Sequence, residues 1–317
     1  MASLNITENS ASAGVFGERA EPKARSLLNR TWTTWRKKPF GAFGGVLIVF
    51  FLFIAIAAPL IAPYQPNVFS GPSLDAPSAS HLFGTDNLGR DTLSRTIYGA
   101  QISLAAGLTA SIVATAAGTA FAVLAYFGGT ADSISQRILE ILSSFPSIVL
   151  ALVFIAVLGR ANSTSHNIAQ IAWDLRSLEL AIGLTFVFGV TRILRAAVIK
   201  ERGIPYIEAA RSIGAPHSRI LWRHILPNIM PYVIVTFSSL IGTTILIEAS
   251  LSFLGYGVAP GVPSWGGDLS TRNRDYFMIA PWLLIAPGVT LSLLVVAYNF
   301  FGDALRDILD PRLRGSR

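Results

Sequence analysis

Apolar residues along this chain gather in runs far longer than the alternation of a strand or the stripe of a surface helix. A hydrocarbon core about 30 Å thick takes roughly 20 apolar residues as helix. Six stretches reach that length wholly or nearly: Phe40–Ala62, Ile102–Phe127, Ile138–Leu158, Leu178–Val198, Ile229–Leu254 and Pro281–Phe301. The pattern predicts an all-α integral membrane protein with six transmembrane helices. The first 39 residues are polar, rich in Ala, Ser, Asn, Glu and Arg, and read as a mobile tail. The first span lies behind that tail and outruns the apolar core of a signal peptide, so it reads as a retained anchor. The chain therefore divides into a tail (1–39), a first span (40–62), an extracytoplasmic segment (63–101), a transmembrane domain (102–302) interrupted by a polar loop (202–227), and a short C-terminal tail (303–317).

Composition agrees: 52% of the 317 residues are hydrophobic and only 14% are charged, against about 25% charged in a soluble domain. With no cysteine there is neither a disulfide framework nor a thiolate metal site. The net charge of +7 sits in short blocks beside apolar runs. Membrane topology explains such blocks more simply than nucleic-acid binding does, and no nucleic-acid partner is expected. With the N-terminus inside, 19 of the 25 Lys and Arg fall in cytoplasmic segments and 6 outside. That asymmetry puts both termini, and the 202–227 loop, in the cytoplasm.

The spans are nearly free of the buried charges that ion-coupled transporters keep. Glu140, Glu179 and Glu248 lie near span ends, where an interface or a neighbouring partner accounts for them. No H-E-x-x-H or G-x-S-x-G motif occurs. His81, His166, His217 and His224 are scattered outside the spans and suggest no metal site. Ala106, Ala110, Ala114, Gly118 and Ala122 recur every fourth residue in the second span, a smooth stripe suited to close packing within the bundle or against a partner.

The loop between spans four and five is unusual. Residues 208–227 read EAARSIGAPHSRILWRHILP. Pro205 can open a helix. Tyr206, Ala209, Ala210 and Ile213 then recur at i, i+3, i+4 and i+7 and form one apolar face of mostly small side chains. Gly214 can end the helix in the left-handed conformation. Pro216 can open a second helix to about Ile225, and Pro227 limits continuation into span five. Such a hairpin could lie on the membrane, pack on the protein's own helix ends, or dock in the groove of a separate subunit.

Glu208-Ala209-Ala210, Gly214 and Leu226-Pro227 fall at the spacing of the EAA loop, E-A-A-x3-G-x9-I-x-L-P, with His224 at the Ile position. In these residues the chain resembles permease subunits of importer-type ABC transporters, of the dipeptide/oligopeptide/nickel group. HLFGTDNLGRDTLSRTIYGAQISL (81–104), EASLSFLGYG (248–257), Pro263-Ser264-Trp265-Gly266, NFFGDALRDILDPRLR (299–314) and the first span ending APLIAPY are also similar to that group, so the resemblance covers about residues 30–314.

The resemblance implies the type I ABC importer permease fold, in the inner membrane of a prokaryote. It implies that the loop is a coupling helix seated in a cleft of an ATPase subunit. In that role Glu208 would make polar contacts, Ala209 and Ala210 would allow close approach, and Gly214 would turn the chain, with Tyr206, Ile213, Leu226 and Pro227 completing the segment. Glu208 could instead pair locally with Arg202 or Arg211. The implied partners are two cytoplasmic ATPase subunits, a second related permease, an external solute-binding protein, and membrane lipid. No G-x4-G-K-[ST] pattern occurs. The chain is therefore expected to be a transport subunit and not an enzyme, with ATP and Mg on the partners and no cofactor of its own. Dipeptides or oligopeptides are the implied cargo. Nickel or another small solute, or a membrane partner of an ATPase that does not transport, are the alternatives.

Overall fold

Inside a bilayer every backbone donor and acceptor must be satisfied within the protein, and long apolar runs meet that demand as helices. A computed structural model of the chain describes residues 38–159, 175–259 and 261–309. The expected N-terminal tail (1–37 of it), the end of the C-terminal tail and His166 lie outside the described residues. The described elements are helices: α1 (Pro39–Ile61), α2 (Thr92–Phe127), α3 (Gly129–Ser143), α4 (Ser147–Leu158), α5 (Arg176–Arg202), α6 (Pro205–Ser212), α7 (His217–Ile220), α8 (Leu226–Phe253), α9 (Trp265–Asp268), α10 (Thr271–Arg274) and α11 (Trp282–Leu309). A π-turn at Leu221–Ile225 joins α7 to α8.

Five helices are long and apolar enough to cross a membrane, and α3 and α4 reach that length and composition only when taken together as one bent pair. The single helix expected at Ile138–Leu158 is bent by 104° between Ser143 and Ser147. Pro146 causes the break: its ring disfavours helical backbone at Phe145, and Pro146 itself takes the extended conformation that starts α4. The 12 residues of α4 give only about 18 Å of helix, short of a bilayer core. The opposite surprise occurs at α8. A break was expected before Pro227, but helix runs from His217 to Phe253. The π-turn, closed by a bond from Leu226 N to Leu221 O, widens the helix where the Pro227 ring would otherwise meet a carbonyl.

The long helix α2 is the mast of the bundle, packed on α5 on one side and α8 on another, while α1 pairs with α11. The alanine stripe is buried within the bundle: Ala106, Ala110, Ala114 and Ala122 are fully enclosed. A Cβ on Gly118 would stand 2.5 Å from Cγ1 of Val190 on α5. On the other side, Ser111 and Thr244 share a hydrogen bond of 2.8 Å between α2 and α8. Higher up, the buried Glu248 accepts from Ser252 at 2.7 Å and from Ser103 at 3.2 Å. Glu140 pairs with Arg137 at 3.1 Å on the surface.

At the end of the bundle away from the 202–227 loop, α2 starts ten residues before the expected Ile102. Asp91 is the reason. Its carboxylate accepts from Ser94 N and Oγ, both at 2.7 Å, an N-cap that satisfies a first-turn donor and favours a helix start here. His81 holds the other carboxylate oxygen at 3.0 Å. The first turns of α2 are then locked to the loop after α8. Arg95 Nη2 donates to Asp268 at 2.5 Å, and the fully buried Trp265 donates to Thr96 O at 2.9 Å.

Candidate functional site

The 202–227 segment folds as a helix, a turn and a second helix. Pro205 occupies the first turn of α6, where its missing N–H costs nothing. Gly214 sits at φ +77°, in the left-handed region. Gly214 N bonds to Arg211 O at 2.9 Å and Ala215 N to Ala210 O at 3.1 Å. These two bonds make a Schellman motif, which satisfies carbonyls that the helix end would leave open. Pro216 follows and stops any continuation.

The face that α6 turns inward is not the expected stripe. Ile207, absent from that stripe, is fully buried, with Ala125, Tyr126, Ala197, Val198, Ile220, Leu221, Ile225 and Ile229 around it. Burying such a side chain is worth about 1.5–3 kcal/mol. Ala210 lies partly buried against the same cluster, as does Leu226. Tyr206, Ala209 and Ile213 point away from it, and Ile213 is 85% exposed. At about 100° per residue the predicted stripe centres about a third of a turn from Ile207. The four residues read from the sequence as one face therefore part company. One joins the core and three stay open, beside the exposed Glu208 and Pro227.

Polar contacts fasten α6 at its start. Tyr206 Oη donates to Glu201 Oε1 at the end of α5. Asn228 Nδ2 donates to the same carboxylate oxygen at 2.8 Å from the start of α8. Partial burial, and after it the neighbouring Glu201, push the Tyr206 hydroxyl up to about 12, so it remains a donor at physiological pH. Tyr206 is thus tied within the chain as well as exposed. Glu208 pairs with neither local arginine. Arg202 Nη1 donates to Ala125 O at 3.3 Å, and Arg211 lies over the Tyr126 ring. The Glu208 side chain has no hydrogen bond or ion pair within the described residues.

The result is a short helix clamped on one side and bare on the other. Its inner side fixes it to the ends of α2, α5 and α8. Its outer side offers a carboxylate, small side chains and an exposed isoleucine. Sequence reasoning missed Ile207, Glu201, Asn228, Tyr126 and His217. Ile207 could have been found from the turn chemistry: once Pro205 and Gly214 bound an eight-residue helix, the position flanked by Tyr206 and Glu208 is its one large aliphatic side chain. The others meet only in three dimensions.

Residues 114–315 match the family described as binding-protein-dependent transport system inner membrane component, a span that includes the whole loop. Residues 26–81 match the N-terminal TM domain of oligopeptide transport permease C. The glutathione transport system permease protein GsiD of Escherichia coli O1:K1 / APEC is 38% identical over 296 residues, covering 92% of this chain and 93% of that protein. The proteins of the same description from Shigella boydii serotype 4 (strain Sb227) and Escherichia coli O157:H7 are 37% identical over the same shares.

Proposed function

Since the chain belongs to the binding-protein-dependent transport system inner membrane component family, the permeases of ABC importers, we propose that it carries short peptides inward and is driven through α6. The observation that carries the reading is the two-sidedness of that helix. Ile207 is held in the chain's own core while Glu208, Ala209 and Ile213 stay bare. A lever needs one face fixed and the other free for what pushes it.

In this reading the bare face of α6 docks in a cleft of an ATPase subunit, the helix-in-groove mode. Glu208 makes polar contacts there, and Ala209 lets the partner's backbone approach. Two such ATPase subunits, a second related permease, a solute-binding protein and surrounding lipid complete the machine. ATP and Mg belong to the ATPase subunits, and this chain is not itself an enzyme. ATP binding draws those subunits together and carries α6 with them. The spans attached to it then tilt and open the path outward. The switch requires that ATP bind one of the two states more tightly. The excess of Lys and Arg in the segments around the loop and termini supports placing all of them in the cytoplasm.

A peptide cargo is supported by the family of the N-terminal segment and by relatives that carry glutathione, a tripeptide. The test is ATP-dependent uptake of a mixed di- to pentapeptide library into proteoliposomes. These hold the chain with its ATPase, permease and binding-protein partners, and uptake is read by mass spectrometry. Enrichment of peptides that vanishes when Glu208 and Gly214 are changed is expected. ATPase activity stimulated by the binding protein with no peptide uptake would assign a different solute.

A further inference from the structure

The loop is joined by the backbone to α5 and α8 alone, yet its side chains converge on the end of α2. Arg211 sets its guanidinium carbon 5.4 Å from the centroid of the Tyr126 ring. The Tyr126 hydroxyl meets His217 Nδ1 at 2.9 Å, at the first residue of α7. Arg202 Nη1 reaches Ala125 O at 3.3 Å from the end of α5. Tyr126 itself is 2% exposed, so its ring is held firmly to the rest of α2 and its surroundings. Arg211 has no ion pair among the described residues, and its Nε is buried without a hydrogen-bond partner. The negative face of the Tyr126 ring is what receives its charge.

We propose that Tyr126 is a positioning residue for coupling: it fixes the angle of α6 against the end of α2, so that displacement of α6 is delivered to α2 as well as to α5 and α8. This rests on the reading of 202–227 as the docked loop. The remainder of α2 is built to carry the movement onward. Gly118 lies beneath Val190 of α5, and Gly107 lies beneath Ile245 of α8, both too close to admit a Cβ. Thr244 also donates to Gly107 O at 2.9 Å. A helix packed this closely on both sides cannot slide past its neighbours without overlap. It moves with them.

The experiment uses the assembled complex. The chain has no cysteine, so Phe121→Cys on α2 and Ser212→Cys on α6, both exposed, place two spin labels once the partner subunits' cysteines are replaced. Pulsed dipolar distances are compared between nucleotide-free and vanadate-trapped complex, with ATP turnover of the labelled complex showing that it cycles. The distance is expected to hold within about 2 Å, the scale of a helix shift at an interface; a larger change overturns the proposal.

Tyr126→Ala is then compared with Tyr126→Phe, which keeps the ring beneath Arg211. The alanine variant is expected to lower peptide uptake from the mixed library per ATP hydrolysed by roughly fivefold or more, the low end of coupling between sites. Capture of the ATPase subunits should stay unchanged, and the phenylalanine variant should keep most of the ratio. A wild-type ratio in Tyr126→Ala would overturn the proposal. Ala209→Trp, on the exposed face of α6, separates the underlying reading: if that variant still captures the ATPase subunits, the docking assignment fails, whatever Tyr126 does.

Discussion

Arg95 and Asp268 meet at 2.5 Å at the end of the bundle away from the 202–227 loop, one from the first turn of α2 and the other from the last residue of α9. Both side chains are largely buried, 6% and 12% exposed. Arg95 Nη1 faces three acceptors, Pro66 O, Asn67 Oδ1 and Gly261 O. The pair therefore sews the segment before α2 to the loop after α8.

Removing one partner leaves the other buried and uncompensated. Asp268→Leu is expected to destabilise the detergent-solubilised chain by about 3–5 kcal/mol. Replacing both residues with Leu should recover a large part of that loss, because no lone charge remains. Thermal melts of the two single variants and the double variant check this. A double variant as unstable as the sum of the singles would show that the pair is not a coupled unit.

Gly118 and Gly189 make a matched contrast. An added Cβ at Gly118 would overlap Val190, whereas nothing lies within 4 Å of one at Gly189. Gly118→Val should cost about 1–3 kcal/mol by forcing α2 from α5. Gly189→Ala should be neutral or slightly stabilising. The readout is the melting temperature of each variant, and equal effects would contradict the close α2–α5 packing.

Ile207 and Ile213 separate stability from docking. Ile207 is fully enclosed and Ile213 is 85% exposed. Ile207→Ala should cost about 2–5 kcal/mol. Ile213→Ala should leave stability within about 0.5 kcal/mol while weakening capture of the ATPase subunits. If Ile213→Ala pulls down those subunits as well as the unaltered chain, the outward face of α6 is not the docked one.

At Gly214, φ of +77° strains any residue with a Cβ, by about 1–2 kcal/mol. Gly214→Val and Gly214→Pro should insert into the membrane yet lose most ATP-driven uptake. Gly214→Asn should retain more, since Asn tolerates the left-handed region. Normal uptake in the Pro variant would sink the lever mechanism.

How the 202–227 loop would be built was half legible. Pro205 and Gly214 mark the ends of α6 through backbone rules that need no neighbour, and both ends stand where those residues put them. Which face turned inward was not legible, because an exposed stripe and a buried stripe of Ala, Tyr and Ile read alike. The buried side was chosen by Ile207 packing into a cluster from α2, α5, α7, the π-turn and α8. Similarly, Pro146 broke the third span where an apolar count saw one helix, while Pro227 failed to break α8 because a π-turn absorbed it.

The sequence by itself determined that this chain lies in a membrane, roughly where its apolar helices run, and which loop carries the family's signature. Those properties follow from local composition and from motifs contiguous in the chain. Only the tertiary structure decided that Arg95 meets Asp268, that Trp265 closes on Thr96, and that Tyr126 receives Arg211. Each of these joins residues from separate helices. A single sequence records no distance between them until packing brings the helices together.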